Sequence, residues 1–265
     1  MGQQLLSRLD QDGWFYKMAS SINASVTSNG IVQTADASGI LQLQSNGTTG
    51  LSINSGGKVV YANTALSTAS AGTLEYDGGE LYFTPLATER GLIPSAQYYR
   101  LNSTAVGANV TSAQSIFGAG VTLSSNTTYA FELVFCITKS AGGVSHTVGV
   151  GFGGTATINN IAYNALISQS STTGAVNGNP TTTAVYQLFV QQATNTTTTA
   201  AIAIAAQAVF PRISGTVSVN AGGTFIPQYT LSAAPGGAYS TQIGSYILIY
   251  PIGGSGSNTS IGTWA

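Results

Sequence analysis

With 265 residues, the chain is long enough for one large or two small domains and for a sizeable buried core. Only 6% of residues are charged, against roughly a quarter in an average soluble protein, and the net charge is −1 with the basic residues scattered. That balance excludes an electrostatic footprint for nucleic acid or anionic lipid, and the lone Cys136 excludes an internal disulfide and a multi-cysteine metal site.

Gly, Ser, Thr, Ala and Asn fill the places that Lys and Glu usually take, which suits strands and tight turns rather than helices. The longest apolar run, AAIAIAAQAVF from Ala200, falls well short of the roughly 20 residues of a membrane-spanning helix, so no membrane insertion is expected. No charged-then-apolar leader opens the chain, and Asn-x-Ser/Thr sequons in so Thr-rich a sequence arise by chance.

Residues 1–26 combine Leu5, Leu6 and Leu9 on one helical face with Trp14, Phe15 and Tyr16. Gly13 ends the pattern, leaving a helix too short to stand alone; this is read as an anchor segment that orders against a larger assembly, with a frayed terminus or a leftover of expression before Met18 as the alternatives. Residues 27–88 change to short alternating strands, GILQLQSNG, TGLSINSGGKVVYA and GTLEYDGGELYFTP, read as a thin β-structured neck. Asp77-Gly78-Gly79 between alternating runs predicts a tight hairpin. Leu41, Leu43, Leu51 and Ile53 make one apolar stripe per chain, insufficient as an independent core unless several chains share it.

Residues 89–265 carry longer strands. YAFELVFCI places Tyr129, Phe131, Leu133, Phe135 and Ile137 on one face and Ala130, Glu132, Val134 and Cys136 on the other. SHTVGVGF, ATINNIAYNALI, AVYQLFVQQAT, TAAIAIAAQAVF, GTVSVNA, TFIPQYTLSAA and GSYILIYPIG follow, separated by Gly, Asn and Pro. Strands at this spacing without intervening helices predict an all-β fold, an antiparallel β-sandwich or jelly-roll head. In SYILIYPI both faces are apolar, so Tyr246, Ile247, Leu248, Ile249 and Tyr250 are expected at a contact with a neighbouring subunit; Ala-rich AAIAIAAQAV is expected as a second two-sided strand.

The order YAFELVFCI, SHTVGVGFGGTATINNIAY, ISGTVSVNAGGTFIPQYTLSAAPGGAY and GSYILIYPIGGSGSNTSIGTWA resembles the C-terminal domains of fibre-type virion proteins of tailed bacteriophages, marine and cyanobacterial ones in particular. SAGTLEYDGGELYFTP is similar to the segment that precedes those heads, and the resemblance covers about residues 30–265. More loosely, the head resembles the trimeric jelly rolls of the C1q and tumour-necrosis-factor type, in which an apolar final strand lies at the subunit interface. The resemblance implies a homotrimer on the virion, assembled in the host cytoplasm. Its implied partners are other virion proteins, through the N-terminal segment, and a host-surface polysaccharide or protein. The alternatives are a capsid decoration or cement protein, or a head fibre, that touches only virion proteins, and a polysaccharide depolymerase.

Chemistry-bearing residues are few. GVGFGG at 149–154 fits G-x-G-x-x-G, but a strand follows it and no Asp or Glu lies beyond Glu132, so no dinucleotide site is expected. Glu75, Asp77 and Glu80 are the one carboxylate cluster for glycosidic hydrolysis or an ion; a turn residue and two solvated strand ends explain them equally. His146, the sole histidine, has no Cys partner within motif reach, and Ser145 lacks a nucleophile elbow. Glu89 or Glu132 is expected to pair with Arg90 or Arg100 at the neck–head junction. Tyr98 and Tyr99 present faces that can stack on a sugar, with one of the two expected in the core. The chain is thus expected to be a binding protein rather than an enzyme, with no cofactor and no metal. Its receptor contacts are expected in uncharged loops such as SSTTGAVNGNP and AAPGGAYSTQIG.

Overall fold

The computed structural model describes residues 40–45, 48–86, 88–170, 182–256, 258 and 261–264. Leu5, Leu6, Leu9, Trp14 and Phe15 of the expected anchor lie outside the described residues, as does most of SSTTGAVNGNP. Contacts divide the chain into two units, Met1–Ala62 and Asn63–Ala265. The Asp77-Gly78 hairpin belongs to the second of these units.

In the first unit, β1 (Leu41–Ser45), β2 (Thr48–Ile53) and β3 (Val59–Tyr61) form an antiparallel meander. Cross-strand partners share a face, and the rows Leu41–Ile53, Leu43–Leu51, Leu51–Tyr61 and Ile53–Val59 bring all the large apolar residues of these rows onto one face. No described residue of this unit is buried; Leu43 is 53% and Val59 56% exposed.

The second unit begins with a small sheet, β4 (Thr73–Tyr76), β5 (Leu81–Thr84) and β6 (Gly91–Ile93). The β4–β5 hairpin forms where Asp-Gly predicts it, with Gly78 at φ 93°. Its turn is wider than a two-residue one: Asp77 Oδ1 accepts from the N–H groups of Gly79 (3.0 Å) and Glu80 (2.8 Å), an Asx turn.

The remaining strands are β7 (Gln97–Arg100), β8 (Ala105–Val106), β9 (Gln114–Ser115), β10 (Val121–Leu123), β11 (Thr127–Val134), β12 (Ile137–Lys139), β13 (Val148–Gly153), β14 (Thr157–Ser170), β15 (Thr182–Gln191), β16 (Asn195–Thr197), β17 (Gln207–Ala221), β18 (Gly223–Leu231), β19 (Ser240–Thr241) and β20 (Tyr246–Gly254). One sheet runs β7-β20-β11-β17, and the facing one β10-β18-β13-β16. Number these eight strands in chain order and the sheets read 1-8-3-6 and 2-7-4-5. That is the connectivity of a jelly roll, two interlocked Greek keys, as expected. The hairpin β14–β15 extends the first sheet beyond β17, while β12, β19 and β8 prolong it at one end.

Alternation fills the space between the sheets. Tyr129, Phe131, Leu133, Phe135 and Ile137 are all buried, as their period of two predicts. Phe131 of β11 and Tyr163 of β14 reach across to Phe152 of β13 and Phe225 of β18. Phe152 stacks on Phe225 at 4.9 Å and meets Phe131 and Tyr163 edge-on at 5.3 and 5.5 Å.

The Ala-rich stretch departs from expectation: residues 200–206 form no strand beyond one bridge, Ile202 to His146, and β17 starts only at Gln207. Alanine offers little packing to a pleated surface, and here the carbonyls of Ile204 and Ala205 turn instead toward the buried Lys139 ammonium.

Phe152 lies at the centre of the aromatic contacts, so Phe152→Ala is expected to cost about 3–5 kcal/mol. A urea midpoint that falls accordingly, without change in slope, checks it; Phe189→Ala, on a 67% exposed ring, leaves the midpoint in place.

Candidate functional site

The carboxylate cluster is spent on structure. Glu75 accepts from the Ser67 hydroxyl (2.6 Å) and backbone (2.9 Å) and pairs with Arg90 at 2.6 Å, and these bonds hold its carboxyl below the usual range. Asp77 closes the Asx turn. Glu80 is buried rather than solvated; burial raises its pKa, against the bond it accepts from the Tyr82 hydroxyl at 2.8 Å. The expected partners of the scattered charges are corrected accordingly. Arg90 takes Glu75, which the β4–β5–β6 sheet brings beside it, and not Glu89. Glu132 faces Arg212 at 3.6 Å across β11 and β17, and Arg100 bonds the Asn102 amide.

GVGFGG is strand β13 and its end, with Val148, Val150 and Phe152 facing the core. Its glycines lie on the other side, where neighbouring side chains fold across the strand: a Cβ on Gly149 would come 2.7 Å from Thr230 Oγ1, and one on Gly153 2.6 Å from Gln228 Oε1. Cross-strand packing thus accounts for the pattern.

A buried polar group lies at one end of the sandwich. Lys139, 2% exposed, points its ammonium at the carbonyls of Gly142 (2.7 Å), Ala205 (3.1 Å), Ala141 (3.4 Å) and Ile204, and burial lowers its pKa. Beside it His146 Nδ1 meets the Val144 carbonyl at 2.7 Å and Nε2 the Tyr239 hydroxyl at 2.8 Å; that hydroxyl reaches the Gln207 amide at 2.6 Å. Tyr239 has one proton to give. If Gln207 Oε1 receives it, both His146 nitrogens must donate and the ring is cationic next to Lys139. If the amide presents Nε2 instead, Tyr239 donates to a neutral His146, and the otherwise unpartnered Gln207 Nε2 is used. Burial lowers the His146 pKa, and the Lys139 charge adds to it, so the neutral form is the favoured one. The histidine, two residues before β13, is held by the buried Tyr239, a contact the sequence did not show. The half-buried Cys136 has its thiol pushed up to about 12 by burial.

Of the five residues expected at a trimer interface, Ile247 (5% exposed) and Ile249 (1%) belong to the core of their own sandwich. Tyr246, Leu248 and Tyr250 stand half-exposed on the outer face, which Tyr98, Ala130, Val134 and Phe210 share. Tyr246 donates to Glu132 Oε1 at 2.6 Å, a bond that raises its own pKa, and its ring lies 5.7 Å from that of Tyr98.

Neither Tyr98 nor Tyr99 is core: they are 59% and 45% exposed, because β7 is the edge strand of its sheet. Tyr98 lies against the outer face, whereas Tyr99 turns toward the facing sheet and meets Phe117 edge-on at 5.6 Å. Between β7 and the β9–β10 connection lies a cleft of about 160 Å³, with Ile247, Ile249 and Phe117 beneath it and Gln97, Tyr99 and Gly120 at its sides. The loop AAPGGAYSTQIG is fastened down, with the Gly236 N–H on Asn109 Oδ1 (2.9 Å), Tyr239 buried and the Gln242 N–H on the Cys136 carbonyl (2.8 Å).

No family model matches the chain, and no curated protein matches it. Among solved structures it is similar to the "Structure of infectious bursal disease virus Gx strain" at 8% identity and a TM-score of 0.17, over 90% of this chain and 61% of that one. It is also similar to the "Crystal structure of infectious bursal disease virus VP2 subviral particle", at 8% identity and a TM-score of 0.15, over 80% of this chain and 50% of that one. The chain thus spans between half and three-fifths of those chains. At these TM-scores neither likeness bears weight, and the fold rests on the strand pairing.

With its folded pKa lowered, His146 lets the unfolded chain bind the proton first, so its contribution to stability is whole above about pH 6.5 and is lost as pH falls. Glu80, with a raised pKa, acts in the opposite sense. Urea midpoints between about pH 5 and 7.5 are expected to fall on acidification, and His146→Gln to flatten or reverse that slope at some cost in stability.

Proposed function

We propose that this chain is a fibre-type virion structural protein that assembles as a homotrimer, carries its jelly roll as a head and binds a host-surface polymer. The observation that carries the reading is the first unit: three strands gather Leu41, Leu43, Leu51, Ile53, Val59 and Tyr61 on one face, and none of them is buried by the described residues of that unit. Full burial of such side chains yields about 1.5–3 kcal/mol each, and since these are roughly half covered already, sharing this face among copies gains on the order of 5 kcal/mol per chain. A single chain leaves that gain unused, whereas a bundle of identical chains collects it.

Two further features support the same assembly. The outer face around Tyr246, Leu248 and Tyr250 is a second apolar surface, and the looser sequence resemblance puts an apolar final strand at a subunit interface. The surface is also almost free of charge, so copies meet without electrostatic repulsion. Three heads on one fibre raise the avidity of a weak single site, which suits attachment to a repetitive polymer.

Native mass measurement of the full chain at micromolar concentration is expected to give three copies, and Leu43→Glu to shift it toward monomer. A wild-type monomer that is folded overturns the assembly. Purified protein is expected to compete with particles for adsorption to host cells; competition that is absent while the protein is found in particles leaves the decoration reading in its place.

A further inference from the structure

We infer that the cleft beside Tyr99 is a binding site for one uncharged sugar ring of a longer saccharide, an assignment that rests on the host-polymer reading above and places it on named residues. Among the described residues no Asp, Glu, Lys, Arg or His lines the cleft, so it favours a neutral ligand. Its floor of Phe117, Ile247 and Ile249 and the Tyr99 ring offer an apolar surface, the complement of the C–H face of a pyranose.

Hydrogen-bonding groups surround that surface. Gln97 and Tyr99 are both exposed, and among the described residues neither side chain is engaged in a hydrogen bond, leaving an amide and a hydroxyl for sugar hydroxyls. The backbone adds more. Leu101 donates its N–H to the Ser245 carbonyl at 2.9 Å, so alternation along β7 turns the N–H and C=O groups of Tyr99 and Gln97 toward β20 and those of Tyr98 and Arg100 toward the open edge. An edge strand with free polar groups beside an apolar floor matches a ligand that is apolar on one face and hydroxylated around its rim.

Size sets the stoichiometry. At about 160 Å³ the cleft is well below the roughly 300 Å³ at which pockets begin to enclose drug-sized ligands, so it takes one ring and leaves the rest of the chain outside. Affinity of one such site is weak, and three per fibre supply avidity.

The test uses the full chain with methyl α-D-glucopyranoside, methyl β-D-galactopyranoside, N-acetylglucosamine and N-acetylneuraminic acid as probes, read by saturation-transfer NMR with tyrosine signals as reporters. At least one neutral probe is expected to bind with millimolar affinity and to shift the Tyr99 ring. Tyr99→Ala is expected to weaken that binding about tenfold, and Ala119→Trp, at an exposed position on the cleft wall, to block it with the fold intact. Phe189→Ala leaves it unchanged. Binding that survives both cleft variants, a preference for N-acetylneuraminic acid, or Ala119→Trp dissociating the oligomer instead, which makes the cleft a contact between copies, each overturns the assignment. Adsorption competition separates it from the parent reading: protein that competes equally well with Tyr99→Ala keeps its attachment role and loses this site.

Discussion

The jelly roll depends on one insertion: β20, at the far end of the sequence, lies between β7 and β11 and completes the first sheet. Without it Tyr98 and Tyr99 have no strand to pair with, the outer edge of β11 is bare, and Ile247 and Ile249 no longer close the core over Phe117. Every pairing in that sheet except the β14–β15 hairpin is far apart in sequence, so loop-closure entropy must be met before the contacts repay it. The aromatic group of Phe131, Phe152, Tyr163 and Phe225 is the reward. It joins strands of both sheets and forms only when both are in register.

That dependence explains the character of the C-terminal stretch. A strand that pairs on both edges and packs on one face has no use for charge at any inward position, and its polar turns of Gly, Ser and Asn hold it in solution. The outer face is the one proposed to meet other copies. Tyr246 is held by Glu132, itself faced by Arg212, so the few charges on this face are arranged around the apolar residues rather than spread as solvating groups.

The period-two pattern made the inward face of β11 legible and marked β13, β14, β15, β18 and β20 as strands, since burial on one side leaves an alternation that needs no knowledge of partners; it gave no sign of β16, read β17 as two strands and did not separate the inward Ile247 and Ile249 of β20 from its outward residues. It failed where the partner decides. Residues 200–206 read as strand because Ala and Ile alternate, but the Lys139 ammonium draws their carbonyls away from a ladder, and nothing local announces a buried lysine. Glu75 and Arg90 could not be matched from the sequence because their meeting is made by the β4–β5–β6 sheet. Tyr98 and Tyr99 were half legible: opposite faces were right, but a core position for one was not, since edge placement is a property of strand order. The cleft left no signal of its own, being made from β7, the β9–β10 connection and β20 together.

One strand therefore serves two surfaces. Along β20, Ile247 and Ile249 turn inward to form the cleft floor, while Tyr246, Leu248 and Tyr250 turn outward to the face proposed to meet other copies. The β7–β20 register, with Tyr99 opposite Ile247 and Gln97 opposite Ile249, is set within the single chain and places both side chains over the floor, while in the proposed trimer the outer side of the same backbone meets other copies. A weak site for one sugar ring, as proposed, is of use only when repeated, and the strand that shapes the cleft is the one whose other face is proposed to do the repeating. Assembly and recognition would then be selected together: a substitution on the outer face that loosens β20 would weaken the single site as well as remove its multiplicity.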